Sequence, residues 1–489
     1  MAFPYAYGLT VRNTYGILHQ AKKSGTRRCL RYCVFICKQE VPMIPIIEFQ
    51  QRSLTGQVMK SDEFDLEFSM KVRELVAKYD IKYNPEEIIV DDATADAIFQ
   101  AGVELLANVG IYHLDTERVI KLSKEEIEQV AREYRENPRK HTFGKGKDQC
   151  TVEYRTSTDE RPTTLYAGGH GVASEEWYTA LVQSFAQEES IEAMGICPGL
   201  ARLGDIKPKA GTLSEMHVGF WEQARIKEAL QNVGRPDMHC GLLATVSSAA
   251  ATFAMIGPGL REAHNTQIGV HIIPEMKISW NQLVMAQFCR ERGIVPWQSA
   301  MSMTGGLCRN GADAAVGLIA NLLGQISFAN GPMASLFSND IKGKSANLPS
   351  QWAMGAAARA SERNIKVATG SSAAGVLCWS PFTLLQAVSM AALFSASGMA
   401  YAWTAGWTGI EARYVGEVMK AIAGMPRDKA NELILAIMRK TAEYAGEVKG
   451  NTAKFPDVYD IDTVEPKQRF VDIMERAKEE LARVGVPYS

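Results

Sequence analysis

Two histidines stand where proton chemistry could be done, because an imidazole is the side chain that exchanges a proton near neutral pH. His239 lies in the run MHCG and His271 in GVHIIPE, and Glu275 follows His271 across Pro274. A histidine with a carboxylate nearby can work as a general acid or base, the carboxylate orienting the ring or taking the proton itself. The plainer reading stands beside it. A histidine near a strand is often a hydrogen-bonded core residue, and a glutamate there complements a helix amino terminus. Ser338, Asn339 and Asp340 form a polar run that either gathers around a substrate or turns the chain. Tyr401, Trp403 and Trp407, with Trp352 and Trp379, concentrate aromatic rings in the last third of the chain. Ring faces meeting in one place would attract a methylated ammonium; the same rings would serve equally well as core or subunit contacts. Asn339, Asp340, Tyr401, Trp403 and Trp407 are therefore the candidate substrate-binding residues, and His239, His271 and Glu275 the candidate catalytic ones. His170, Thr304, Thr369 and Thr404 join them as polar residues at the ends of apolar runs.

No metal is expected. The chain has no H-x-x-x-H, C-x-x-C or H-E-x-x-H spacing, and three or four such ligands are needed to hold an ion. The adjacent His239 and Cys240 are the one feature pointing the other way. There is no G-x-x-x-x-G-K-[ST] loop and no G-x-S-x-G elbow, so neither a phosphate cradle nor a serine nucleophile is present.

The elements that must position these residues follow a regular beat. Beyond about residue 163, a short apolar run ends in Gly, Ser, His, Asn or Asp, a helical stretch follows, and the cycle repeats. Runs ending near Tyr166, Pro198, His239, His271, Met303, Phe337, Thr369 and Trp403 predict eight strands. The intervening helices fall at about 175–190, 212–232, 247–263, 277–292, 311–326, 349–362, 382–398 and 411–424. Eight such units predict an α/β fold, a TIM-like (β/α)8 barrel with an N-terminal helical region and a C-terminal helix. An open doubly wound sheet is the alternative, but no glycine-rich dinucleotide fingerprint supports it. The expected domains are an N-terminal helical region over 43–160, the barrel over 161–424 and a C-terminal segment over 425–489 that packs on the barrel. In the first of these, Asp91 and Asp92 precede a helix carrying Ile98, Val103, Leu106 and Val109, and Ser123 with Glu126 forms a capping box.

Apolar residues make up 46% of the 489 and charged residues 22%, ample for a large core, and the net charge of −2 calls for neither nucleic acid nor a membrane surface. Nine scattered cysteines suit a reducing cytoplasm. Residues 1–42 differ from the rest: they carry a balance of +6, whereas the remainder carries −8. A transit peptide, or a metal site at Cys29, Cys33 and Cys37, would explain a basic leader. The favoured reading is a non-native or disordered extension ahead of a true start at Met43.

Several blocks together resemble the monomethylamine:corrinoid methyltransferases. IFQAGVELLANVGIYHLDTERVIKLSKEEI (98–127) is similar to their amino-terminal helical region, TGIEARYVGEVMKAIAG (408–424) to the segment after their last strand, and YDIDTVEPKQRFVDIMERAKEELARVGV (459–486) to their final helix; GRPDMHCG (234–241) joins them. The resemblance implies a barrel that moves a methyl group from a small methylated amine to the cobalt of a separate corrinoid protein. It also implies a homo-oligomer with no tightly bound cofactor of its own, the cobalamin-type corrinoid being carried by the partner. In the family, the electrophilic ring of pyrrolysine is thought to hold the amine, helped by a Glu and a Gln. This sequence has no nonstandard residue. The stretch matching the pyrrolysine segment reads Ala254-Met255-Ile256-Gly257-Pro258-Gly259, the glutamate region reads Gly305-Gly306-Leu307-Cys308-Arg309-Asn310, and Met390 stands for the glutamine with Gln386 one turn away. The expectation is a retained barrel and partner with a changed donor, a quaternary amine, whose leaving group is already neutral. The alternatives are a non-catalytic corrinoid-protein-binding paralogue and a barrel lyase or isomerase using His239, His271 and Glu275.

Overall fold

From Thr164 onward the apolar runs pair side by side as eight parallel strands: β1 Thr164–Ala167, β2 Ala193–Ile196, β3 Cys240–Leu242, β4 Gln267–His271, β5 Val295–Thr304, β6 Met333–Asp340, β7 Ala368–Ala374 and β8 Tyr401–Ala405. The computed structural model describes residues 44–169, 171–242, 248–257, 261–374, 381–405, 408–444 and 453–488. His170, Trp379, Trp407, Pro258, Gly259 and the three amino-terminal cysteines lie outside them. The strand order β3-β2-β1-β8-β7-β6-β5-β4 bends round into a nearly closed barrel. Among the described residues no ladder joins β3 to β4. Side chains span that seam at its amino end: His239 Nε2 meets Gln267 Oε1 at 3.2 Å, and the Arg261 guanidinium reaches the carbonyls of Cys240 and Asn265.

Each strand is followed by a helix: α1 Tyr178–Ala186, α2 Leu213–Asn232, α3 Ala249–Ile256, α4 Trp280–Arg292, α5 Gly311–Ala329, α6 Leu348–Asn364, α7 Pro381–Ala396 and α8 Gly409–Ile422. All eight expected helices are present, seven of them displaced by a few residues at their ends, while the third stops at Ile256 where the expectation ran to 263. Alternation sets the inner wall. Trp297 on β5, Phe337 on β6, and Tyr401 and Trp403 on β8 pack on one another inside the ring. Side chains two residues away on the same strand share that face, which places Ser335 and Asn339 inside as well. Gly370 is inside because the Tyr401 ring occupies the space a Cβ there would fill, at 2.4 Å.

Two additions flank the barrel. The hairpin Lys140–Phe143 with Cys150–Glu153 drives Phe143 under the amino ends of the strands, against the His239 ring at 4.0 Å between centroids. The helix Asp92–Val109, capped by Asp91 through the Thr94 N–H at 2.7 Å, lies over α5. All 19 residues of α5 are buried. By length and apolarity α5 could cross a membrane, but here it is a core helix between the barrel and the amino-terminal layer. That layer is not purely helical. A four-stranded sheet runs through it, Gln57–Val58, Arg118–Ile120, Ile111–His113 and Lys277–Ile278, the last supplied by the segment after β4. The helix Gln468–Arg483 buries Phe470, Met474, Ala477 and Leu481, one stripe at helical spacing, and packs on α7 and α8.

Candidate active site

In a barrel of this kind the carboxyl ends of the strands open onto the loops that carry chemistry. Judged by that end, the candidates divide. His271 is the last residue of β4, and its Nδ1 is buried without a hydrogen-bond partner. Burial depresses its pKa to about 4, so the ring is neutral at physiological pH. Asn339 lies inside near the end of β6, its Oδ1 buried and unpartnered. Ser372 on β7 stands opposite Trp403 in the strand register and shares the inner face with Gly370; its Oγ is likewise buried and unpartnered. Below them the floor is aromatic. Trp403 stacks on Phe337 at 6.1 Å and meets Trp297 edge-on at 5.4 Å, with Phe337 only partly buried.

Other candidates are placed elsewhere. The expectation that a strand ends near His239 is corrected: β3 begins at Cys240, in register with Met194, so His239 sits at the opposite, amino end of the barrel. There it is fully buried between Phe143 and Tyr166, 5.3 Å from the latter, and burial together with the nearby Arg261 charge holds its pKa well below the ordinary value. Tyr401 opens β8 rather than closing it, and its hydroxyl meets Ser335 Oγ at 3.0 Å in the interior, a packing position. Trp352 is on α6, outside the ring, donating to the Glu87 carbonyl at 3.1 Å. Asp340 folds its own loop: Oδ1 accepts from the backbone N–H of Lys342 at 2.8 Å and of Lys344 at 2.9 Å. Thr304 bonds Ser350 Oγ at 3.0 Å toward the helix layer.

Glu275 does not turn to His271. Its carboxylate accepts from the Met303 N–H at 2.7 Å, from Ser302 Oγ at 3.2 Å and from Cys308 Sγ at 3.6 Å. Ser302 alternates with Trp297 on β5 and faces α5, where Gly317 leaves room for it. The carboxylate therefore sits behind the wall. Burial pushes its pKa up to about 7, against the three hydrogen bonds that favour the charge.

The stretch matched to pyrrolysine also has a place. Ala254 and Met255 are buried in α3, and neither carries a polar side chain. Met390 is buried in α7, where Gln386 reaches the Ala346 carbonyl at 3.4 Å. Among the described residues no group of three metal-ligating side chains comes together.

Three residues escaped the sequence reading. Trp297 was legible in principle, since Val295, Trp297, Ser299, Met301 and Met303 alternate with the helix-facing positions of β5. Ser372 is hidden in the run ATGSSAAG, where small residues give no pattern. Glu215 follows Thr212 by three residues and so reads as a helix-start signature. In the structure it is 2% exposed, near the start of α2.

Family-wide comparison fixes what this scaffold is. The model for the monomethylamine methyltransferase MtmB family matches residues 44–486. The chain belongs to that family. Monomethylamine methyltransferase MtmB of Methanosarcina mazei is 24% identical over 465 residues, spanning 90% of this chain and 98% of the relative. MtmB2 of Methanosarcina acetivorans is 23% identical over the same length. The crystal structure of the Methanosarcina barkeri enzyme superposes with a TM-score of 0.84 at 21% identity, covering 92% of this chain and 99% of that one. A crystal structure of the hydroxylamine MtmB complex gives 0.83 at 22%. The family members thus share one barrel at low identity, and side-chain roles in this chain rest on its own residues.

Proposed function

We propose that this protein transfers a methyl group from a methylated amine to the cobalt of a corrinoid carried by a partner protein, and that the donor is a quaternary amine. The observation that carries the first part is family membership across 44–486 with the barrel intact. The second part is supported by the inner wall. The described side chains placed at the mouth and on its floor are Trp403, Phe337, His271, Asn339 and Ser372, which are aromatic faces and neutral polar groups. Such a wall suits a cation held by ring faces. A quaternary ammonium departs as a neutral amine when Co(I) attacks its methyl carbon: the C–N bond breaks, its electron pair stays on nitrogen, and a cobalt–carbon bond forms. What the protein must supply is alignment and exclusion of water.

Within this reading His271, neutral because buried, hydrogen-bonds a polar substituent of the donor, since a quaternary nitrogen has no N–H to give and no lone pair to accept with, and Asn339 and Ser372 hold the same end. Asp340 and Tyr401 shape the loop and the floor. Corrinoid is held by the partner, and the assembly works as a homo-oligomer in the cytoplasm.

The deciding experiment is to mix the purified protein with a Co(I) corrinoid protein and screen methylamines and quaternary amines by cobalt absorbance. A methylcobalt spectrum with one quaternary donor is expected. Methylcobalt only from monomethylamine would overturn the donor, and none from any donor would overturn the transfer in favour of a binding-only paralogue.

A further inference from the structure

The helix Ser61–Lys78 is apolar on two faces. One is the ordinary buried kind. Phe64, Phe68, Val72, Leu75 and Val76 pack toward the helix Asp92–Val109 and α5, and Ser69 Oγ donates to the Leu307 carbonyl at 3.0 Å, which fixes the helix to the loop after β5. The other face meets solvent. Glu63, Leu66, Met70, Arg73 and Ala77 follow at alternating steps of three and four residues, so they form a single stripe along the helix. All five are exposed, Leu66 and Met70 by 61% each. Val58, on the edge strand that leads into the helix, is 60% exposed. A helix at the surface of a lone chain carries polar residues along its outer face. The helix Gln468–Arg483 does so, with Arg469, Asp472, Arg476 and Glu479 outward. An apolar stripe in that place calls for a cover.

The order of residues along the stripe says what covers it. Glu63 and Arg73 stand five residues to either side of position 68, and Leu66 and Met70 two residues to either side. A twofold axis at that point, with the second helix running the opposite way, lays Leu66 on Met70 of the partner subunit and Glu63 on Arg73 of the partner subunit. Each pair then occurs twice, as an isologous contact requires. Run in parallel, the same helices would set Glu63 against its own copy and Arg73 against its own. The charges are available for the antiparallel pairing. Among the described residues Arg73 makes no ion pair, whereas Lys71 and Lys78 on the same helix meet Glu74 at 2.7 Å and Glu104 at 2.6 Å. Glu63 accepts the Lys60 N–H at 3.2 Å and meets no cation among the described residues.

We propose that this stripe is the contact between two copies of the chain: an antiparallel helix pair with Leu66 and Met70 at its centre and a Glu63–Arg73 ion pair at each end. This rests on the homo-oligomer reading above and names the face that forms it; it is independent of the methyl donor. The contact belongs to the amino-terminal layer, and the inner wall of the barrel takes no part in it.

The test is sedimentation velocity of the full chain over a range of concentrations, with a thermal melt of each variant. Wild type is expected at twice the mass of one chain or an even multiple of it. Arg73→Glu sets like charges across both ends and should raise the dissociation constant at this contact tenfold or more. Adding Glu63→Arg in the same chain restores opposite charges and should bring the constant back toward wild type, a recovery that an antiparallel pairing of identical helices requires. If Arg73→Glu fails to fold, Leu66→Gln supplies the reading, with the same tenfold weakening. A wild type that stays monomeric overturns both the homo-oligomer and its contact. An assembly that neither Arg73→Glu nor Leu66→Gln weakens overturns the contact alone, as does a double reversal that stays as weak as the single. A monomer that pairs only when residues 1–43 are removed would assign the stripe to that segment. Loss of corrinoid-protein binding in Arg73→Glu at unchanged mass would assign it to that partner. Either outcome overturns the second copy, and the cobalt assay decides separately whether methyl transfer stands.

Discussion

Glu275 shows at the scale of one residue how a buried group answers to pH. Its ordinary value is 4.5 and in the fold it is pushed up to about 7 by burial. The folded state therefore holds the proton more tightly than the unfolded chain. The stability linked to that proton is present below 4.5 and is lost as pH rises through 7. Glu275→Gln imitates the protonated form and can keep the Met303 N–H bond. We expect it to be more stable than wild type at pH 8, by about 3 kcal/mol at most, and to lose that advantage by pH 5. Urea unfolding at the two pH values checks this, and an advantage that does not change with pH would show that Glu275 stays ionised. His271 works in the opposite sense. Its pKa falls to about 4, so the stability it contributes is present above 6.5 and erodes as pH falls from there toward 4. Its imidazole carbon-bound protons, followed by NMR, should show no titration between pH 6 and 8. His271→Ala should lower kcat/KM at least about tenfold, the loss of hydrogen bonds to substrate, without adding or removing an inflection in that range. An inflection near neutrality that wild type shows and the variant loses would identify the ring as a proton carrier after all. The structure puts His271 and Asn339 at the carboxyl ends of β4 and β6, where polar residues that close apolar runs were expected. The expected boundary put His239 at the wrong end because β3 begins at Cys240 and ends at Leu242, and a shift of three positions exchanges the two ends of so short a strand.

The strands and helices were legible for a different reason: eight repeats of one period reinforce each other, so an error in one boundary does not change the count. What the pattern could not show was the small sheet threading the amino-terminal layer, because strands of two or three residues, such as Gln57–Val58 and Lys277–Ile278, leave no periodicity to read. Nor could it show which glycines are structural. Gly370 is one: its missing side chain is the seat of the Tyr401 ring, whose atoms lie 2.4 to 2.5 Å from where a Cβ would stand. That ring is fully buried and tied to Ser335, so it cannot swing aside as the end of a flexible chain would. Gly370→Ala should push β7 from β8 and cost about 3 kcal/mol or more, in the range of severe overpacking. Chemical denaturation measures it, and a loss under about 1 kcal/mol would show that the two strands yield. Ser123→Ala offers the mild comparison. It removes one cap from the helix Lys124–Glu136, where Oγ accepts the Glu126 N–H at 3.2 Å, and about 1 kcal/mol is expected.

Across the whole molecule, two independent observations divide the chain at nearly the same place. Charge changes sign near residue 42, from +6 ahead of it to −8 behind, and the family match begins at residue 44. The compact unit that carries the barrel starts at Ile46. The relatives are covered over 98% of their length while 90% of this chain takes part, so the unmatched share belongs to this chain. The family match runs without residues 1–43, and the expectation to test is that stability and chemistry do not need them. A protein beginning at Ile44 should then melt within about 1 °C of the full chain, since a loss of even 1 kcal/mol would move Tm by roughly 1 to 2 °C in a domain of this size. Its rate of cobalt methylation should match at low ionic strength and at high. The salt comparison matters because a basic segment acts on a partner through screened charge. Equal melts with a rate that falls on truncation only at low salt would assign the segment to recruiting an acidic partner; a lowered Tm would place it in the fold.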